Sequence, residues 1–159
     1  NLELCIKLRK DNANYTAMVR ALKWWKNYKE LEPYEDEGGI SSFAIELIVA
    51  YLDETKGIES NIEEAIIRFF QFVSNTNFPE ISFNHAINSI PNYTTPIYVA
   101  DDTNNENNAA KKIDNSKWDE IFEEAEVAFD NLNIAQSRNN EGATIEEWKL
   151  VFGPTFNIK

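Results

Sequence analysis

The segment "FAIELIVAYLDETKG", Phe43 to Gly57, constrains the fold more than any other part of the chain. It is too long for an ordinary strand and reads as a helix, with Ser41 and Ser42 before it and Gly57 just past its end. Its apolar residues fall on nearly every side, so it has no broad solvated face and must be largely buried by its neighbours. Glu46 is its one early charge. A carboxylate inside such a helix needs a cationic or hydrogen-bonding partner.

The preceding segment offers that partner. From Tyr15 to Glu30, after the polar start "DNAN", Met18, Ala21, Leu22, Trp25 and Tyr28 recur at helical spacing. Arg20, Lys23 and Asn27 form another stripe of the same helix. On this reading Leu22, Trp25 and Tyr28 anchor the helix in the core and Trp24 covers a neighbouring helix. Lys26 and Lys29 are ordinary solvated lysines, and Lys23 is free to meet Glu46 or an anionic ligand.

The rest of the chain is mostly helical. "EPYEDEGG", Glu32 to Gly39, is a loop by its proline, glycines and acids. Ser60 with Glu63 fits a capping box that opens "IEEAIIRFFQFV". Residues 74–96 show no period, and Ile97 to Val99 is a short β-prone run before a polar turn. Ser116 caps a long amphipathic helix with Trp118, Ile121, Phe122, Ala125, Phe129 and Leu132 inward. Thr144 with Glu147 caps a short last helix that stops at Gly153 and Pro154. The expected fold is mainly α: one compact bundle of about five to six helices over residues 1–159, with at most a short β segment.

Composition narrows the function classes. The 159 residues support one ordinary core, and no run reaches the 18 or more apolar residues of a membrane span, so the chain is expected to be soluble and cytoplasmic. The first residue is Asn, as expected of a piece cut from a longer chain. One cysteine, Cys5, and one histidine, His85, provide no internal disulfide and no zinc set, and both are read as packing residues. No phosphate-loop or dinucleotide glycine motif occurs, and no Ser/His/Asp set that one histidine could serve. The acidic groups Glu35-Asp36-Glu37, Asp101-Asp102 and Glu123-Glu124 fall in loops or on a solvated helix face, where they serve solvation and capping rather than hold a metal.

Charge is unevenly spread. Residues 1–29 carry a balance of +5 and the remainder −17, which disfavours broad duplex nucleic-acid binding and directs any anionic ligand to the first helices. A helix start preceded by Ser41 and Ser42 presents free N–H groups, hydroxyls and a positive dipole end. Lys23 and Arg20 could converge there, with Phe43 as a flat surface for a base. Serines before a helix also serve as plain caps and phenylalanine as plain core, so the residues alone leave both readings open.

The order of the pieces resembles a known family. "MVRALKWWKNY", "ISSFAIELIVAYL" after a glycine-bearing loop, "PIYVADDTNNENNAA", "WDEIFEEAEVAF" and the ending "EEWKLVFGPTF" together cover nearly the whole chain. They resemble the C-terminal helical lobe of template-independent nucleotidyltransferases, which include oligoadenylate synthetase, cyclic GMP-AMP synthase and the bacterial CD-NTases. The resemblance implies a two-lobed, magnesium-dependent enzyme that joins nucleoside triphosphates into oligonucleotide signals, cyclic ones included, in antiviral defence. It implies that Lys23 contacts the triphosphate, that Ser42 also reaches phosphate, that Phe43 stacks on the base and that Arg20 lies beside them. The family's magnesium-binding carboxylates belong to an N-terminal lobe that these residues do not include. The chain alone, without a catalytic residue of its own, is expected to be inactive.

In this family a turn of the form DPxxPxxN is usual, and here it is "DDTNNEN" followed by Asn108, with Asp102 and Asn105 where prolines are frequent. That departure is expected to loosen the turn while sparing the nucleotide site. Two further functions fit the pattern: an RNA 3′-end nucleotidyltransferase lobe of the poly(A) polymerase or CCA-adding type, and a helical interaction domain without enzymatic activity.

Overall fold

The computed structural model describes residues 4, 7, 8, 11–84, 86–139 and 145–155, and over 134–139 the backbone alone. Cys5, His85 and Thr144 lie outside the described residues. The elements in chain order are α1 (Ala13–Tyr28), α2 (Ser42–Lys56), α3 (Ile62–Val73), β1 (Ala100–Asp101), β2 (Asn104–Asn108), α4 (Asn115–Asn139) and α5 (Ile145–Phe152). Five helices and one two-stranded antiparallel sheet among the described residues agree with the expected mainly-α architecture. No described helix is long and apolar enough to cross a membrane.

Helix α2 occupies the centre, as its uniform apolarity requires. Ala44, Ile45, Leu47, Ile48, Val49, Ala50 and Leu52 are all buried, and α1 packs along one side of it. Helix α3 lies against both α1 and α4, while α5 closes the bundle against α1 and α4. Aromatic rings knit these helices together. Trp25 on α1 meets Phe70 on α3 edge-on at 5.0 Å between ring centres, and Phe70 meets Phe152 on α5 at 6.2 Å. Such pairs add about 0.5–1.5 kcal/mol each beyond burial itself.

Several local expectations are corrected. Tyr28 is 46% exposed and not a core anchor; its ring lies beneath Gly153, where φ is +93° and a side chain would strike the ring. Lys26 takes the core position instead. It falls four residues after Leu22, on the buried stripe formed by Tyr15, Met18, Val19, Leu22 and Trp25. Trp24 does reach a neighbouring helix, its indole N–H donating to the Phe152 carbonyl at 2.7 Å, at the end of α5.

The caps also differ by one or two positions. Asn61, not Ser60, caps α3, its side chain accepting from the N–H groups of Glu63 and Glu64. The Glu63 carboxylate accepts instead from the Trp148 indole at 3.1 Å. At the start of α4 the Asp114 carboxylate accepts from the Lys117 N–H at 2.7 Å, the role expected of Ser116. Asp and Ser are near-equal caps, so their order in the sequence does not decide which one acts.

The β-prone run is displaced toward the C-terminus. Ile97 to Val99 is buried, with Ile81 bridging to Val99, while the antiparallel pairing runs through Ala100 and Asp101 against Asn104–Asn108 with an irregularity between the two register pairs.

Candidate functional site

The site forms where α1, the start of α2 and the β1–β2 hairpin meet. The two serines before α2 have separate roles. Ser41 is the N-cap: its hydroxyl oxygen accepts from the Ala44 N–H at 3.0 Å and its hydroxyl lies 3.4 Å from the Ala109 carbonyl. Ser42 is the first helical residue and Phe43 the second. Their N–H groups precede the helix ladder, which begins with the Ile45 N–H donating to the Ser41 carbonyl.

Lys23 reaches α2 from α1. Its ammonium lies 2.5 Å from the Glu46 carboxylate, one turn after Ser42. Glu46 thereby receives the cation that its buried helix demands, from the stripe expected to supply it. Arg20, one turn before Lys23, is exposed and makes no ion pair among the described residues.

Phe43 has the core on one side and open space on the other. It is half-buried against the core, and it also lines an open cleft of about 650 Å³. The other lining residues are Pro33, Ser41 and Ala109, the acids Asp101 and Glu106, the asparagines Asn107 and Asn108, and the lysines Lys111 and Lys112. Lys23, Ser42 and Arg20 do not line this cleft. The structure therefore places Lys23 and Ser42 on one flank of the α2 start and Phe43 toward the cleft.

The hairpin, whose departure from the family's proline pattern was expected to loosen the turn while sparing the nucleotide site, forms one wall of this cleft. Side chains tie the hairpin together. Asp101 accepts from the Thr103 N–H and hydroxyl, both at 3.0 Å. Burial pushes the Asp101 carboxyl up, but these two donors, together with a hydrogen bond from Asp102 and nearby positive charge, hold the group below its ordinary value. Asn108 is the pivot: its side-chain oxygen accepts from Val99 N–H at 3.0 Å and Ala110 N–H at 2.9 Å, and its amide donates to Thr95 Oγ1 at 3.0 Å. Asp102 is buried at 2% exposure, against the expectation of a solvated loop acid.

The glycine-bearing loop supplies Pro33 to the cleft and packs against the segment that carries the two lysines. The Gly39 N–H donates to the Lys112 carbonyl at 2.9 Å, and a Cβ on Gly38 would overlap that same carbonyl. These glycines allow the loop to lie against the backbone that carries Lys111 and Lys112. The sequence marked them only as loop residues; their close approach is a tertiary fact with no local signal.

Lys26 and Lys29, on and just after α1, are committed elsewhere. Lys26 is 4% exposed with Glu32 at 3.7 Å from its ammonium, and burial pushes it below the ordinary value of 10.5 while Glu32 opposes the shift. Lys29 pairs with Glu124 at 3.3 Å. Neither is the solvated lysine expected. Among the described residues no group of His, Cys, Asp or Glu side chains is placed to hold a metal ion.

A mainly-α bundle with a lysine brought to the start of a buried helix and an aromatic beside a hairpin-walled cleft agrees with the helical-lobe architecture expected from the sequence. No family model matches the chain. Sequence relatives place it more narrowly. It is 25% identical over 155 residues to "CBASS oligonucleotide cyclase CdnC" of Escherichia coli strain KTE188, covering 97% of this chain and 46% of that protein. It is 31% identical over 156 residues to the "Cyclic AMP-AMP-AMP synthase" of Escherichia coli strain MS 115-1, covering 95% of this chain and 48% of the relative.

Two solved structures agree. The E. coli MS115-1 CdnC:HORMA-deltaN complex superposes with a TM-score of 0.79 at 27% identity, over 96% of this chain and 49% of that one. The CdnC structure with ATP gives 0.79 at 28% identity, over 96% and 48%. In sequence and fold the chain corresponds to the C-terminal helical lobe of these bacterial CD-NTase-type proteins. It spans about half the length of the curated relatives it matches.

Proposed function

We propose that the chain is the nucleotide-binding lobe of a CD-NTase-type enzyme that joins nucleoside triphosphates into a cyclic oligonucleotide signal with release of pyrophosphate, in antiviral defence. The observation that carries this reading is the meeting of Lys23 with Glu46 one turn from Ser42 and Phe43. It holds an ammonium at a helix start whose first N–H groups face away from the ladder, an arrangement suited to phosphate.

In this reading Lys23, Ser42 and Arg20 hold the triphosphate, and Phe43 supports the base. Positioning of this kind is a large share of phosphoryl-transfer catalysis. In this reading an N-terminal lobe that these residues do not include would hold the magnesium ions, and the chain by itself would not transfer a nucleotide. That lobe and nucleoside triphosphates are its partners. Names of the relatives support the class: one is a cyclic AMP-AMP-AMP synthase, and a neighbouring structure was solved with ATP. The strongly acidic remainder of the surface disfavours the alternative of a long RNA substrate.

The test is ATP binding in the presence of magnesium, by calorimetry on the complete protein. Lys23→Ala is expected to weaken binding by about 10-fold or more through lost charge-assisted contact, and Phe43→Ala by a similar factor through lost stacking. Unchanged affinity in both variants overturns the site assignment.

A further inference from the structure

We propose that Asn107 is a specificity-determining residue of this lobe, reading the hydrogen-bonding edge of a nucleobase that enters the cleft beside Phe43. The inference rests on the nucleotide-binding reading above and adds to it the residue that selects the base.

The argument begins with the asparagines of β2, "NNENN", Asn104 to Asn108. Asn104 accepts from the Asn88 amide and the Glu106 N–H, both at 3.0 Å. Asn105 donates to the Asn88 carbonyl at 2.9 Å. Asn108 ties Val99, Ala110 and Thr95 together. These three amides build the hairpin. The Asn107 side chain makes no hydrogen bond among the described residues, and it lines the cleft that Phe43 lines. A carboxamide with two donors and an acceptor, unspent by the fold and directed to a cavity with an aromatic wall, suits a planar heterocycle with a mixed donor and acceptor edge.

Charge decides which end of a nucleotide belongs here. Asp101 and Glu106 line the same cleft as Lys111 and Lys112, so acids and bases are balanced in number and the cleft has no net charge to attract phosphate. A neutral base is the better match. The phosphate end has its own cation in Lys23, held by Glu46, which lies three residues beyond Phe43, about 4.5 Å along the helix axis. Base and phosphates of one nucleotide thus find separate partners on adjoining faces of α2. The volume of about 650 Å³ leaves room for a nucleoside with its ribose.

Binding of ATP, GTP, CTP and UTP, each with magnesium, is measured on the complete protein, its Asn107→Ala and its Asn107→Asp variants, with inorganic triphosphate as a competitor. Wild type is expected to prefer one base, and Asn107→Ala to reduce that preference by about 5- to 150-fold, the range of one bidentate amide–base contact. Asn107→Asp, which exchanges the amide donors for an acceptor, is expected to change the ranking of the bases. Competition by inorganic triphosphate is expected to be the same in all three proteins. Because the amide supports no described contact, both variants should melt as wild type does. Nucleotide binding with an unchanged base ranking and spread in both variants overturns the role of Asn107 alone. No nucleotide binding by wild type overturns the function reading and this inference with it.

Discussion

The Lys23 ammonium lies 2.5 Å from the Glu46 carboxylate, and this pair fastens α1 to the buried helix α2 through a carboxylate that is only 12% exposed. A largely buried carboxylate depends on its cation far more than a surface one does. Lys23→Ala is therefore expected to destabilise the fold by about 1–3 kcal/mol. The double variant with Glu46→Ala should recover part of that loss, giving a coupling of about 1 kcal/mol or more by urea unfolding. A coupling near zero would mean that the pair contributes nothing to holding the helices together.

Lys26 behaves in the opposite way. Its ammonium is buried beside the half-exposed Glu32, and burial lowers its affinity for a proton below the ordinary 10.5. Between the lowered native value and 10.5 the unfolded chain binds more protons than the folded one, so this group makes stability rise with pH across that window. Below the window the folded state bears the full cost of the buried charge. Lys26→Met is expected to stabilise the protein at neutral pH by about 1 kcal/mol, with the advantage shrinking as pH rises toward 10.5. Urea unfolding of both proteins at several pH values checks it; an advantage that does not shrink would sink the assignment.

Gly38 tests the construction of the cleft. A Cβ there would overlap the Lys112 carbonyl that also accepts from the Gly39 N–H, and backbone on the other side cannot give way as a flexible side chain could. Gly38→Ala is expected to cost about 1–3 kcal/mol and to displace the wall formed by Lys111 and Lys112. Chemical shifts of Gly39, Lys111 and Lys112 should move together. Movement at Gly39 alone would show that loop and wall are independent.

What the sequence disclosed depends on whether a signal is local. Helix α2 was legible because an all-round apolar segment has only one solution, and the Glu46 partner followed from the same fact. The first helix was legible for a similar reason of periodicity. Lys26 was misread because residue type was allowed to outrank position: it stands on the buried stripe four residues after Leu22, and its stem packs there with the ammonium directed to Glu32. The wall made by Asn107, Lys111 and Lys112 was illegible, because it depends on a hairpin and a glycine loop meeting across the chain. A run of asparagines reads as a turn whichever of its amides is spent.

Asn108 supports that wall, and its replacement separates hairpin stability from ligand contact. Its side-chain oxygen is the acceptor for the N–H groups of Val99 and Ala110, both fully or almost fully buried. Asn108→Ala removes the one acceptor of both N–H groups and the donation to Thr95, leaving two buried donors unpaired. The expected loss is about 2–4 kcal/mol, since each buried unsatisfied N–H costs about 1–3 kcal/mol. Asn108→Asp keeps an acceptor oxygen for the two N–H groups and gives up only the amide donor, so it should lose about 1 kcal/mol or less. Amide hydrogen exchange provides the specific readout: Val99 and Ala110 should lose protection in the alanine variant and keep it in the aspartate variant. Equal protection in the two variants would show that backbone pairing, and not the Asn108 side chain, closes the hairpin.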